Sequence, residues 1–199
     1  MKLIIPMGKT STGKDTISRY INERYGIQTV ISYTTRPIRE NEVDGREHWF
    51  INESKMDEIV ADEDNLLAYA KNPKTGHRYC ATTHDLDPSR NYIYILNPTA
   101  YLNMIAKHPD LETVVIFMDL PERQIRQRAM IRGDRRKDIN KRLDGERAEF
   151  ESFKKNHFSD HESSDGVGLS GQKLYMISSL NTRDDIFSQV REILSENGF

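Results

Sequence analysis

The chain has one cysteine, Cys80, among 199 residues, so no disulfide can form within it. Such cysteine usage points to the reducing cytoplasm. Long apolar runs are missing as well. No stretch approaches the ~20 residues that span a bilayer, and the mean hydropathy is -0.72. The apolar start at residues 3–6 is too short for the core of a signal peptide. An excess of one charge is also lacking: 29 Lys and Arg stand against 31 Asp and Glu, a net charge of -2. A general nucleic-acid binder carries a basic surplus, so any basic site here is local. Neither a membrane nor nucleic acid is expected as a partner. Internal repeats, heptad series and low-complexity tracts are absent, and the oligomeric state stays open.

What is present is an alternation. Segments 2–6, 28–32, 91–96, 113–118 and 173–177 are rich in β-branched and large apolar residues and read as strands. Helical patterns fall between them at 14–25, 54–62, 98–107, 121–132, 138–155 and 183–195. The first stops at Gly26 and the fourth at Gly133, as helices do. Ser54 and Asp57 make a capping-box-like start for the second, and Pro98 opens the third. Strands alternating with helices predict an α/β fold, a parallel sheet flanked by helices. Two stretches break the rhythm. Residues 33–85 are polar, with short strand-like pieces such as 47–51, and read as an insertion. Residues 160–172 are Ser/Gly-rich and read as a mobile surface loop.

Between the first strand and the first helix lies Gly8-Lys9-Thr10-Ser11-Thr12-Gly13-Lys14-Asp15-Thr16. A glycine-rich loop there aims backbone N–H groups and a helix N-terminus at an anion. Lys14 adds a charge for the β/γ-phosphates. The P-loop pattern is met at Gly8, Gly13 and Lys14 and fails at the last place, where Asp15 replaces a hydroxyl. Thr16 offers that hydroxyl one position later. Asp15 offers Mg²⁺ a hard carboxylate oxygen. Taken alone, the segment also reads as a plain helix start with Asp15 stabilised by the dipole.

Two arginine clusters follow. Ser32, Arg36 and Arg39 lie in a hydroxyl-rich, turn-prone stretch, and guanidinium groups bind phosphate through paired N–H donors. Arg123, Arg126, Arg128, Arg132, Arg135, Arg136 and Arg142 crowd a later helical region. Each cluster alone reads equally as solvated charge. A phosphate cradle with two arginine clusters is what phosphoryl transfer requires: a held donor, a held acceptor and cations at the transferring oxygens.

The chain resembles the guanylate kinases. The matching stretches are Gly8-x-x-x-x-Gly13-Lys14-x-Thr16, Ser32-x-Thr34-Thr35-Arg36-x-x-Arg39-x-x-Glu42-x-x-Gly45-x-x-x-x-Phe50, Gly76-x-x-Tyr79, Arg128-x-x-x-Arg132-Gly133 and Arg142-Leu143. They appear in family order, and the tail beyond residue 150 matches weakly. The resemblance implies a P-loop NTPase-type fold with core 1–31, 86–122 and 146–199, an acceptor-binding insertion at 32–85 and a helical lid at 123–145. It implies ATP as donor, held by Gly8, Thr10, Ser11, Thr12, Gly13, Lys14, Asp15 and Thr16, with Mg²⁺ at Asp15 and Thr16. It assigns the acceptor phosphate to Ser32, Arg36, Arg39, His48 and Tyr79, with His48 standing where a tyrosine is common. Lys14, Arg132 and Arg142 would be catalytic.

The base-reading positions depart from the family. A glutamate is usual where Ala68 stands, and Gly-Ser or Gly-Thr where Cys80-Ala81 stands, with Thr82 next. An aspartate is usual where Asn97 stands. Ala68, Ala81, Thr82 and Asn97 therefore outline an acceptor base pocket that has lost its guanine contacts. The expectation is a nucleoside monophosphate kinase with altered base preference. The alternatives are a P-loop kinase for another small phosphate or phosphonate ester, and a guanylate-kinase-like binding module without activity.

Overall fold

The structure, a computed structural model, describes residues 1–40, 42–72, 75–158, 165–166 and 172–199. Its residues divide into two compact units. Most of the Ser/Gly-rich stretch 160–172 lies outside the described residues.

The parallel-sheet unit comprises Lys2–Thr29, Asn91–Pro98 and Glu112–Phe199. Its strands are β1 (Lys2–Met7), β2 (Gln28–Thr29), β7 (Tyr92–Ile93), β8 (Glu112–Asp119), β9 (Asp165–Gly166) and β10 (Gln172–Ser178), in the order β2-β7-β1-β8-β10-β9. All neighbours pair parallel except β9, which runs antiparallel to β10. Alternation along β1 and β8 sends Ile4, Val114, Ile116 and Met118 to one face. There they pack with Ile17 and Ile21 of α1 (Lys14–Tyr25) and Val190, Ile193 and Leu194 of α6 (Arg183–Glu196). Phe117 points the other way, onto Phe150, Phe153 and Phe158 of α5 (Arg136–Phe158), with the Phe153 ring stacked at 5.9 Å between centroids. Each such ring contributes about 1.5–3 kcal/mol by leaving water. Leu120, Ile125, Ala129, Ile139 and Leu143 join α4 (Glu122–Ile131) to α5.

The mixed-sheet unit takes in Val30–Arg90 and Thr99–Leu111. Its sheet has the order β4-β3-β6-β5, from β3 (Tyr33–Thr34), β4 (Trp49–Phe50), β5 (Leu66–Lys71) and β6 (Arg78–Thr82). α2 (Glu53–Ala61) covers one face, with Met56 packed on Leu66 and Cys80. Most of α3 (Pro98–Lys107) belongs here too, and His108 just beyond it stands 3.0 Å from the Leu66 carbonyl. The unit is thus larger than the expected insertion 32–85.

Three local expectations need correction. The second strand ends at Thr29 rather than 32, because the chain crosses to the other unit at Val30. The Ser32 carbonyl then accepts from Trp49 N of β4. The segment 91–96 keeps only Tyr92–Ile93 as strand, although Tyr94 N still donates to Ile4 O. Asn52, not Ser54, caps α2: its Oδ1 accepts from Lys55 N at 2.8 Å, worth about 1 kcal/mol.

Candidate functional site

In the parallel-sheet unit, β1 ends at Met7 and the chain wraps into the expected cradle before α1. Gly8 has φ of 154°, and a Cβ there would lie 2.6 Å from Met118 O and 2.7 Å from Thr12 Oγ1. Only glycine lets the loop close so tightly on β8. Thr12 is buried and its hydroxyl donates to Lys9 O at 2.8 Å, which pins the turn. Gly13 is the left-handed N-cap of α1. Ser11 also sits at positive φ, 57°, and its Oγ is buried with no hydrogen-bond partner among the described residues. A strained loop with an orphaned hydroxyl fits an anion-binding cradle.

Lys14 folds back over this loop. Its Nζ donates to Gly8 O and Lys9 O, both at 2.8 Å. Burial lowers its pKa and the Arg132 charge lowers it further, while Glu146 and Asp15 act to raise it. Asp15 is exposed in the first turn of α1, and Thr16 is half-buried beside it. These are hard oxygen donors of the kind Mg²⁺ takes. Among the described residues no group of three or more His, Cys, Asp or Glu could hold a metal ion.

Arg132 caps the C-terminus of α4 and Arg142 lies on α5. Both pair with one carboxylate: Arg132 bonds Asp134, and Arg142 Nη1 is 3.8 Å from Asp134 Oδ2. Arg128 instead donates to the Ser179 carbonyl. Lys9 is held by Glu151 at 2.6 Å and Glu122 at 3.7 Å. Glu122 also bonds Arg147 and Arg126, and Arg147 above all holds its carboxyl down at about 2.

Two acidic residues of this half escape a motif search. Asp134 follows Arg132 and Gly133 and looks like an ordinary surface charge. Glu146 lies on α5, four residues after Arg142, and its Oε2 accepts from Thr10 N at 2.8 Å. Burial pushes its pKa up, against the pull of the Thr10 N–H, Lys14 and Arg142.

In the mixed-sheet unit the acceptor-phosphate candidates converge. Ser32 Oγ lies 2.9 Å from His48 Nδ1. The His48 ring meets Phe50 and Tyr79 edge-on at 5.8 Å each, and the Arg36 guanidinium sits over Phe50. Burial lowers the His48 pKa, and the Arg36 charge lowers it further. Arg36, only 9% exposed, is clamped by Glu42 through bonds of 2.8 and 2.9 Å. Arg39 is mostly exposed and gives its backbone N–H to the same carboxylate at 2.9 Å. Glu42 stood in the sequence motif without a role; here it clamps the Arg36 guanidinium and accepts the Arg39 backbone N–H.

Of the four base-pocket candidates, Ala68, Ala81 and Thr82 lie in the mixed-sheet unit. Ala68 of β5 and Ala81 of β6 are cross-strand partners, 5% and 1% exposed. Alternation puts them on one face with Tyr79. Thr82 points to the opposite face, the side of Cys80 and Met56. Its hydroxyl donates to Asp85 at 2.6 Å, and Tyr33 donates to the same carboxylate at 3.1 Å. Burial, and next the Asp85 charge, push the Tyr33 hydroxyl up to about 12. Asn97 is exposed just before α3 and belongs to the parallel-sheet unit.

Comparison with known proteins agrees with this geometry. The guanylate kinase family model matches residues 1–161. A guanylate kinase of Thermus thermophilus is 32% identical over 75% of this chain and 68% of its own length. One from Gloeobacter violaceus is 41% identical over 35% of this chain, a match that spans only 34% of that relative. Among solved structures, a guanylate kinase from Anaplasma phagocytophilum superposes with a TM-score of 0.61 at 13% identity, over 98% of this chain and 85% of that one. The cradle, the clamped arginines and these similarities agree: the chain belongs to the guanylate kinase family, enzymes that pass a phosphoryl group from ATP to a nucleoside monophosphate.

Proposed function

We propose that this family member moves the γ-phosphoryl group of ATP to a nucleoside monophosphate without selecting guanine. The observation that carries the second half is the Ala68–Ala81 pair. Two methyl groups stand at the positions that the family resemblance assigns to a guanine reader, where a carboxylate would accept and a hydroxyl would donate. A site built to hydrogen-bond its substrate rejects the wrong one by ~10⁴-fold, because polar groups are left unpaired. That penalty vanishes where the polar groups are missing. Thr82 is committed to Asp85.

The phosphates are treated in the family's manner. Ser32, Arg36, Arg39, His48 and Tyr79 bind the acceptor phosphate, with Glu42 fixing the guanidinium plane of Arg36. An acceptor phosphate oxygen is already a nucleophile and needs no general base. The loop N–H groups from Gly8 to Thr16, together with Lys14, hold the donor phosphates. Arg132 and Arg142 stabilise charge on the transferring group, so catalysis is positioning plus electrostatics. Asp15 and Thr16 are the residues that would meet Mg²⁺, which would supply charge neutralisation to the donor phosphates. The single buried Cys80 fits a cytoplasmic protein.

A coupled ATPase assay across GMP, dGMP, AMP, CMP, UMP and dTMP tests the reading, with Lys14→Ala as control. The expected kcat/KM values lie within about tenfold of one another, far from the ~10⁴ of a hydrogen-bonded reader. Strong selectivity for GMP would overturn the base assignment. Turnover of none of the six favours another small phosphate ester or a binding module.

A further inference from the structure

We infer that Glu146 is the resident anion of the phosphate cradle, a carboxylate that the donor's phosphates must displace. Three observations carry this. The Glu146 Oε2 accepts the Thr10 N–H at 2.8 Å, so a backbone donor of the loop is already occupied by an oxygen anion. The Lys14 Nζ lies in the same loop, where it donates to the Gly8 and Lys9 carbonyls. The Glu146 charge acts to raise the Lys14 pKa against the effect of burial. Glu146 thus gives the loop two things a phosphate gives it, an oxygen acceptor and a negative charge beside Lys14.

The chemistry sets the sign of the effect. A carboxylate and a phosphate oxygen cannot both take the Thr10 N–H, and like charges at that distance repel. Binding therefore includes the cost of moving Glu146 off the loop. Arg142 lies four residues earlier on α5, on the same helix face, and is a cation within reach of the released carboxylate. Glu146 is a positioning residue here: it keeps the strained, positively charged loop formed between turnovers and lowers donor affinity in exchange.

The inference rests on the reading of the cradle as the donor site, and the test separates the two. Glu146→Gln keeps the shape and an acceptor oxygen but removes the charge, and Glu146→Ala removes both. Asp144→Asn is the control, since it deletes one charge from an exposed position of α5 that pairs with Arg147. Calorimetric titration with ATP, and separately with inorganic pyrophosphate, gives the affinities. Both Glu146 variants should bind either probe about tenfold more tightly than the unaltered chain, the scale of one hydrogen bond to a charged group. The KM for ATP should fall while the KM for the acceptor stays unchanged. A purely structural glutamate would give the opposite, weaker binding with a lowered Tm. Unchanged or weaker affinity in both variants, with ATP still bound by the unaltered chain, overturns the inference alone. If the unaltered chain and every variant fail to bind ATP, the donor-site reading falls and this inference with it.

Discussion

The Arg36 guanidinium lies against the Glu42 carboxylate in a two-bond clamp, 2.8 Å from Nη1 to Oε2 and 2.9 Å from Nη2 to Oε1. Arg36 is largely buried, and Glu42 is held down at about 2, first by the Arg36 hydrogen bonds. Breaking such a pair from one side strands a buried charge, at about 3 kcal/mol or more.

Glu42→Gln should therefore lower stability and also disorient the acceptor-phosphate arginines. The expected kinetic result is a KM for the monophosphate raised about tenfold with the KM for ATP unchanged. The pair also sets an acid limb. Glu42 has its pKa depressed in the folded state, so its contribution is present above the unfolded value near 4.5 and is lost as the pH falls toward about 2. Thermal melts between about pH 5 and about pH 2, the window those values span, should show a shallower decline for Glu42→Gln. Parallel melts for both proteins would refute the assignment.

Restoring a reader should restore selectivity. In the double variant Ala68→Glu with Ala81→Ser, the two side chains share one face of the β5–β6 pair. A carboxylate and a hydroxyl there can accept and donate to guanine. The GMP to AMP ratio of kcat/KM should rise by at least about tenfold, with a loss of stability of about 1–3 kcal/mol from overpacking. A ratio that does not move would show that these positions do not meet the base.

Asp15 replaces the usual P-loop hydroxyl and is exposed beside Lys14. Asp15→Ser should raise the Mg²⁺ concentration that gives half-maximal rate, since one hard oxygen anion is withdrawn. Titration of Mg²⁺ at saturating ATP reads this directly. An unchanged midpoint would remove Asp15 from metal handling.

Helices 14–25 and 98–107 were legible to the residue, because Gly26 and Pro98 punctuate them. The long strands β1, β8 and β10 were legible from their apolar runs. The short strands were not: β2 and β7 are two residues each, and their ends are set where the chain changes units. The cradle loop and the Ser32–Arg39 stretch could be read because their residues follow one another at short spacing along the chain. The face that Thr82 takes was not legible, since adjacent strand residues face opposite ways and only the Tyr33 and Asp85 contacts reveal which.

The amino-acid sequence by itself determined the family, the cradle and the arginines, because those features are contiguous and their chemistry depends on local spacing. Tertiary structure alone decided which carboxylates govern them. Asp134 joins Arg132 to Arg142 across a turn, and Glu146 reaches Thr10 over 136 positions of chain. Such pairings have no signature along the sequence, because an acidic residue on an amphipathic helix looks the same whether it meets water or a buried N–H. Packing of α5 on β8 through Phe117, Phe150 and Phe153 sets which of the two it meets.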